Sequence, residues 1–411
     1  MSLILKNIIA LYGVQLIRMI LPLLMLPILT SRFSEHDFGL YIYTISIAMW
    51  LSLLVEFGFN ISATKMISQQ REGEEVSSII VKTQSAKIIV CFFVTILIPI
   101  SYFFIPVFEN EPSWILTMFL VGVFTGMIPQ YYFQGTEDLK GFGFIECASG
   151  ALLFFSVYFF AKGDAATEIL MLCLVLSRLF SLTVLTTQMY LKVKESAKKV
   201  NILLGIEQLK AGLSIFYFQL IASFYTIFNI IFLGFFVPVL HVAIYGAAER
   251  IIRSGLGFIS QASNVMFPRI NSLKSNGNVD LKKVKLITLF SFTTLGFLGC
   301  FLINSLSFLV IPWLFSGKYD QSIELVNIMA WVIPAIALSN VLAFQYLLVD
   351  GLERTLNKVV TFAGVLNLFV AYAMIETYGY IGMAFTWVLL EWGISIFLGC
   401  LIYYRHHSKL N

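Results

Sequence analysis

Four arginines lie inside apolar stretches of this 411-residue chain, and they are its clearest candidates for binding an anion. They are Arg18, Arg178, Arg250 and Arg253. An arginine at the centre of a bilayer costs about 2.5–3.5 kcal/mol on insertion scales, so several of them facing lipid would be hard to tolerate. We therefore expect all four to face the protein interior, a water-filled path or an acidic partner.

The neighbours of two of these arginines suggest different surroundings. Pro22 and Pro27 follow Arg18 and are expected to bend the first helix, as a gate beside an anionic ligand requires. The alternative for Arg18 is an ion pair with a buried acid that only orients the helix. Arg178 has no acidic residue within one helical turn, so its helix offers it no obvious partner.

Acidic residues in the second half of the chain offer both pairing and ion coupling. Glu249 precedes Arg253 by four residues, so the two stack on one helix face and can pair, which leaves Arg250 as the freer charge. This pair is either purely structural or part of a binding site. Glu249 and Glu391 are also candidates to carry a coupling proton or cation, because acids at membrane depth often do so.

The remaining polar residues of the apolar stretches have less specific expectations. Lys87 can extend its ammonium group to the membrane interface and Glu146 can be solvated there, and the sequence leaves open whether either does so. Four amides either hydrogen-bond sugar hydroxyls or hold helices together at roughly 0.6–2 kcal/mol per bond, and the second role is favoured. These amides are Gln15, Gln219, Asn60 and Asn264.

Composition places these side chains in membrane-spanning helices. Hydrophobic residues make up 59% of the chain and charged residues 12%, and the mean hydropathy is +0.87. Soluble domains carry roughly 25% charged residues, so an integral membrane protein is expected. Stretches of about 20 apolar residues predict twelve spanning helices. Their predicted limits are 8–31, 38–59, 84–105, 113–134, 142–161, 168–190, 212–236, 241–267, 287–312, 323–349, 357–375 and 380–404.

The second half of the chain repeats polar residues of the first at a constant offset of 204 residues. The pairs in register include Gln15 with Gln219, Tyr41 with Tyr245, and Asn60 with Asn264. Polar residues are scarce in these stretches, so a polar series in register indicates an internal repeat. Parallel membrane repeats of this kind are typical of transporters.

Loop charges predict the topology and the domain limits. With the N-terminus inside, interior segments hold 19 lysines and arginines, and exterior loops hold only Arg32, Lys162 and Lys318. Both termini are therefore expected to be cytoplasmic. A basic linker at 192–211 is expected to join an N-terminal six-helix bundle, 1–191, to a C-terminal one, 212–411. The net charge of +4 follows from this topology and gives no reason to expect nucleic acid as a partner.

No motif indicates catalysis or a bound cofactor. The sequence has no GxxxxGK[ST] phosphate-binding loop, no HExxH and no GxSxG. The exterior loops are too short to hold a catalytic domain. We therefore expect a protein that is not an enzyme and that has neither a metal site nor a cofactor.

Several short motifs, taken in their order along the chain, resemble those of bacterial polysaccharide exporters. They are Asn7-x4-Tyr12-x2-Gln15 with Pro22 and Pro27, Phe38-Gly39-Leu40-Tyr41, Tyr132-Phe133-Gln134-Gly135-x-Glu137, and Tyr245-Gly246-x2-Glu249-Arg250 with Pro268-Arg269. The resemblance covers nearly the whole chain. It is to the O-antigen flippases of the multidrug/oligosaccharidyl-lipid/polysaccharide superfamily.

This resemblance implies a fold and a function. The fold would be two six-helix bundles forming a V around a central cavity. The function would be to move undecaprenyl-diphosphate-linked O-antigen oligosaccharides by alternating access, from the cytoplasmic to the periplasmic leaflet of the bacterial inner membrane. The cavity is cationic in relatives that handle lipid-linked diphosphates, which the four arginines match in kind. A polysaccharide polymerase and a chain-length regulator would be partners in lipopolysaccharide biosynthesis.

Two rival functions share some of these features. A multidrug/cation antiporter of the same superfamily should carry more acids than bases within the membrane, whereas arginines predominate here. A membrane polysaccharide polymerase should have a large exterior loop with catalytic charges, whereas the exterior loops here are short and nearly uncharged.

Overall fold

The computed structural model describes residues 20–69, 74–105, 108, 111–193, 200–276 and 281–407. Within these ranges, 74–75, 104, 258, 260–276, 281–282 and 406–407 are described by their backbone alone. Helices joined by short turns make up the described residues, and no strand occurs among them. The predicted all-α class is therefore confirmed.

The helices are numbered here in chain order. The first eight are α1 Ile20–Arg32, α2 Glu35–Glu56, α3 Phe59–Gln69, α4 Glu74–Phe104, α5 Pro112–Met127, α6 Gln130–Gly135, α7 Leu139–Phe160 and α8 Ala166–Lys192. The others are α9 Ile202–Thr226, α10 Asn229–Leu233, α11 Val239–Asn276, α12 Leu281–Leu314, α13 Ser322–Met329, α14 Val332–Asn340, a π-helix Val341–Leu348, and α15 Glu353–His407.

Length and apolar composition make many of these helices able to cross a membrane. Among the described residues, eight helical segments are both long and apolar enough to do so. The longest, α15, is interrupted at Gly379, whose φ of 59° and ψ of −139° are not helical. This interruption lies between the predicted spans 357–375 and 380–404. The chain is thus a multi-pass membrane protein, although eight segments are fewer than the twelve predicted spans.

Contacts divide the chain into two compact units. The first consists of Met1–Ser223 with Ile230–Phe235, and the second of Phe224–Asn229 with Phe236–Asn411. Helix α9 therefore packs mainly within the first unit, although the sequence predicted a C-terminal bundle beginning at residue 212. The limits 1–191, 192–211 and 212–411 stay a prediction, and the contact boundary lies between residues 223 and 236.

Small residues let two helices of the first unit approach closely. Helices α2 and α5 meet at Gly122 and Gly126, which are four residues apart on one face. A Cβ built on Gly126 would lie 2.5 Å from the Cβ of Val55 and 2.8 Å from the carbonyl oxygen of Ser52. Membrane helices associate through such close packing, because lipid offers no hydrophobic drive between them.

Replacing Gly126 with alanine is expected to destabilise the protein by about 1–3 kcal/mol, since the added methyl group meets backbone that cannot move aside. The measurement is the thermal unfolding midpoint of the purified protein in detergent. Gly393→Ala is the matched control, because a Cβ at Gly393 meets nothing within 4 Å. Equal unfolding midpoints for the two variants would contradict the packing argument.

Helices are interrupted where polar groups collect. Between α2 and α3, Phe57 and Gly58 both have positive φ, 46° and 76°. Between α5 and α6, Pro129 follows Ile128 and removes a backbone donor. Between α9 and α10, residues 227–228 form a turn. Each interruption frees carbonyl oxygens from helical hydrogen bonds, and those that are buried away from water need side-chain donors.

Candidate functional site

Helix α11 of the second unit carries a buried acid paired with a partly exposed arginine. Arg253 Nε donates a 2.7 Å hydrogen bond to Glu249 Oε1, and Nη2 also contacts this oxygen. The Glu249 side chain is 3% exposed and that of Arg253 is 42% exposed. The predicted pairing at i and i+4 is therefore confirmed. Arg250 lies on the same helix and is half-buried, so its expected role as the freer charge stays a prediction.

A second carboxylate belongs to the same cluster. Glu391 on α15 is buried, is hydrogen-bonded by Trp387, and lies close enough to Arg253 for electrostatic attraction. The Arg253 guanidinium lies 5.2 Å from the centre of the Trp387 ring, within the range of a cation–π interaction. Arg253 thus faces two carboxylates, Glu249 and Glu391. This cluster is less cationic than the sequence suggested.

The interruption between α9 and α10 is braced by the same cluster and by two amides. Arg253 Nη2 donates to the carbonyl oxygen of Thr226, the last residue of α9. Asn367 Nδ2 donates to the carbonyl oxygen of Phe224 at 2.7 Å and to Asn229 Oδ1 at 3.0 Å. A positive charge and amide donors at a helix C-terminus stabilise its unpaired carbonyls.

In the first unit, Lys87 performs the corresponding task at the interruption after α5. Its side chain is fully buried, and Nζ donates to the carbonyl oxygens of Gly126 at 2.8 Å and Ile128 at 3.1 Å. The ammonium also lies 5.3 Å from the centre of the Tyr131 ring. Lys87 is thus buried within the unit and does not extend into solvent. The carbonyls freed at Pro129 bind the ammonium inside the unit.

An acid and an amide complete this buried cluster. Glu56, at the C-terminus of α2, interacts with both Lys87 and the Asn60 side chain. Asn60 Oδ1 and Gln219 Oε1 are buried and have no hydrogen-bond partner among the described residues. Gln219 lies beside Gly58 at the α2–α3 interruption. These two predicted amides therefore lie within a helix-bracing cluster and still have oxygen acceptors available.

Arg178 has a partner on a neighbouring helix rather than on its own. Its Nη1 lies 3.4 Å from Glu146 Oε2, joining α8 to α7, and Ser181 also donates to Glu146. The Glu146 side chain is 8% exposed and that of Arg178 is 29% exposed. Glu146, whose surroundings the sequence left open, is therefore buried against Arg178. Helix packing supplies an acid that sequence spacing along α8 could not show.

Neutralising Glu146 is expected to lower the free energy of unfolding by about 1–3 kcal/mol in the variant Glu146→Gln, because a charge-assisted hydrogen bond is lost. Chemical or thermal unfolding in detergent measures this change. The control is Glu207→Gln, on an exposed position of α9. If both variants unfold like the parent protein, the Glu146–Arg178 contact does not stabilise the fold.

Three predicted site residues cannot be placed. Arg18 and Gln15 lie outside the described residues, and Asn264 is described by its backbone alone, within α11. Among the described residues, no group of three or more histidine, cysteine, aspartate or glutamate side chains could hold a metal ion.

Sequence reasoning missed several members of the clusters. Glu56, Asn229 and Asn367 were not among the predicted site residues. The signal available in the sequence was that each of the three is a polar residue within an apolar stretch. The surroundings of Lys87 were left open, because the carbonyls that it binds are free only where α5 ends.

The comparisons of this sequence with known protein families and with known proteins agree on one family. Residues 4–274 match the family model described as "Polysaccharide biosynthesis protein". A protein of Escherichia coli K12 named "Putative O-antigen transporter" is 25% identical, and the alignment covers 98% of this chain and 97% of the relative. Its counterpart in Shigella dysenteriae is 24% identical over 96% of this chain and 98% of the relative.

Solved structures share the fold at much lower identity. An inward-facing multidrug resistance MATE family transporter of the MOP superfamily has a TM-score of 0.78 at 13% identity, with 97% of this chain and 98% of that chain covered. The lipid II flippase MurJ in an inward closed conformation has a TM-score of 0.71 at 13% identity, with 97% and 87% covered. These likenesses concern the fold alone.

Proposed function

Because this chain belongs to the polysaccharide biosynthesis protein family, as the match of residues 4–274 shows, we propose that it moves lipid-linked oligosaccharides across a membrane. The ligand we propose is an O-antigen unit attached to undecaprenyl diphosphate. It would pass from the cytoplasmic to the periplasmic leaflet of the bacterial inner membrane. The names of the E. coli and Shigella relatives and the flippase fold neighbour support this reading.

One geometric observation carries the proposal. In each unit an arginine is held by a more deeply buried carboxylate and is itself partly exposed: Arg178 by Glu146, and Arg253 by Glu249. Among the described residues, Arg178 uses Nη1 for hydrogen bonding, and Arg253 uses Nε and Nη2. The remaining guanidinium donors are oriented by these pairs and suit the oxygens of a diphosphate.

The transport cycle follows from the repeat. Twelve helices in two six-helix bundles, arranged as a V with both termini cytoplasmic, would expose a central cavity to one side at a time. The diphosphate would contact Arg18, Arg178, Arg250 or Arg253, the glycan would occupy the aqueous cavity, and the polyprenyl chain would stay in lipid. Gln15, Gln219, Asn60 and Asn264 would contact sugar hydroxyls.

The buried acids of the second unit suggest an energy source. Glu249 and Glu391 face one guanidinium, so protonation or cation binding at either acid would change the balance of charge around Arg253. A proton or sodium gradient could thereby drive the cycle. The same two acids are the specific observation that favours a multidrug/cation antiporter as a second candidate function.

A complementation experiment tests the proposal. Cells that lack this gene should lose surface glycan and regain it with the parent protein. A combined Arg18→Ala, Arg178→Ala and Arg250→Ala variant that reaches the membrane in normal amount should restore little of it. Undiminished surface glycan with this variant would overturn the role of the arginines. Restored export of cationic dyes, without any effect on glycan, would favour the antiporter.

A further inference from the structure

A second polar site lies in the second unit, apart from the arginine cluster. A cavity of about 1000 Å³ is formed by α12, α13, the start of α14 and the part of α15 that follows Gly379. The cavity adjoins the 315–321 turn, which the loop charges place on the exterior side. It is lined by two carboxylates, Asp320 and Glu324, and by three amides, Asn304, Gln321 and Asn327.

Two aromatic rings and three aliphatic side chains complete the lining, and no basic side chain of the described residues belongs to it. Trp331 is 48% exposed, and its ring packs edge-on against Phe297 with 6.4 Å between centroids. Its backbone carbonyl accepts a 3.0 Å hydrogen bond from Trp392 Nε1. The backbone of Trp331 is thus anchored, its indole packs on Phe297, and much of the indole surface is open. Phe385 supplies the second ring.

Two of the three amides are oriented by hydrogen bonds that leave one end of each for a ligand. Asn304 Nδ2 donates to the Cys300 carbonyl oxygen at 3.0 Å, so its Oδ1 is available as an acceptor. Asn327 Oδ1 accepts from the Ser307 hydroxyl at 2.9 Å, so its Nδ2 is available as a donor. The lining thus combines fixed amides with two carboxylates, and an ionised carboxylate can only accept.

This chemistry selects one class of ligand. The carboxylates require a ligand that donates hydrogen bonds, and their charge repels phosphate and acidic sugars. Aromatic faces beside such acceptors suit a ring that has an apolar face and hydroxyl edges. The volume is at the upper end of the roughly 300–1,000 Å³ usual for small-molecule sites, which is more than a single ion needs.

We propose that this cavity binds an uncharged, hydroxyl-rich oligosaccharide, the sugar portion of the transported molecule. The inference rests on the proposed function for the source of the sugar, and it assigns the glycan a site distinct from the arginines that suit the diphosphate. A phosphatidylethanolamine headgroup fits less well, because its phosphate adjoins its ammonium group and the cavity lining has no base to receive it.

Titration calorimetry on the purified full-length protein in nanodiscs made without phosphatidylethanolamine tests this site. The probes are short neutral oligosaccharides, including the one released by mild acid from the host's lipid-linked glycan. We expect binding to the parent protein. The variants Trp331→Ala and Asp320→Asn with Glu324→Gln should each raise Kd about tenfold or more.

The matched controls are Trp313→Ala and Asp164→Asn, both at exposed positions outside the cavity. Both should retain the Kd of the parent protein. Failure of every oligosaccharide to bind, equal Kd values for cavity and control variants, or binding of glycerophosphoethanolamine in place of the sugars would overturn the assignment. Binding is measured on isolated protein, so this failure can occur while the gene still restores surface glycan in cells. The failure of this site and the failure of the proposed function are therefore distinguishable.

Discussion

Replacing Lys87 with methionine is expected to destabilise the first unit by about 3–5 kcal/mol, the usual cost of removing one partner from a buried charge cluster. Methionine fills much of the same volume but cannot donate to the carbonyl oxygens of Gly126 and Ile128. It also leaves the Glu56 carboxylate without its cation. The measurement is the unfolding midpoint in detergent, together with the yield of folded protein from membranes.

A matched variant and a double mutant separate the causes. Lys65→Met, at an exposed position of α3, should unfold like the parent protein. Adding Glu56→Gln to Lys87→Met should recover part of the loss, because the acid is then neutral, while the unpaired carbonyls remain. A Lys87→Met protein as stable as the parent would show that the helix interruption needs no cation.

Replacing Arg253 with glutamine is expected to reduce glycan translocation about 10- to 100-fold, which corresponds to the loss of about 1.5–3 kcal/mol of charge-assisted hydrogen bonding to a phosphate. The guanidinium is oriented by Glu249 and by Trp387, and glutamine offers no charge in its place. Surface glycan per amount of protein in the membrane is the quantity to compare.

Two further variants make this result specific. Arg354→Gln, an exposed position near the start of α15, should leave surface glycan unchanged. Combining Glu249→Gln with Arg253→Gln removes one of the two acids that lose their cation, so protein abundance should recover in part while translocation stays low. Full translocation by the double variant would mean that Arg253 serves the fold alone.

The helical class and the i, i+4 pair were accessible from sequence because both depend on local spacing. A charged fraction of 12% and long apolar stretches require helices in a bilayer. The four-residue separation of Glu249 and Arg253 fixes a shared helix face. The family, too, could be recognised from short motifs in order, and the match of residues 4–274 confirms it.

The surroundings of Lys87, Arg178 and Glu146 were not accessible, because they depend on contacts between helices. Glu146 reaches Arg178 across α7 and α8, 32 residues away in sequence. Lys87 binds carbonyls 39 and 41 residues away, which are free only because α5 stops before Pro129. The residue pattern of one helix does not show where a different helix ends.

The assignment of α9 shows a related limit. The repeat and the basic 192–211 segment predicted a C-terminal bundle that begins at residue 212, inside this helix, whereas contacts group the helix with the first unit up to Ser223. A repeat records common ancestry of the halves, while contact depends on which faces pack together. Trp50, for example, donates a 3.1 Å hydrogen bond to the Ser223 hydroxyl of α9.

The transport that we propose is the passage of lipid-linked oligosaccharide from one leaflet to the other. The most direct measurement reconstitutes the purified full-length chain into liposomes that contain polyprenyl-diphosphate-linked oligosaccharide on both leaflets. Periodate added outside then oxidises only the sugars that it can reach. If the protein carries the glycan across, nearly all of it becomes oxidised with the parent protein. Only the outer half becomes oxidised with Arg253→Gln or with empty liposomes. Oxidation that stops at the outer half with the active parent protein would contradict the proposed transport.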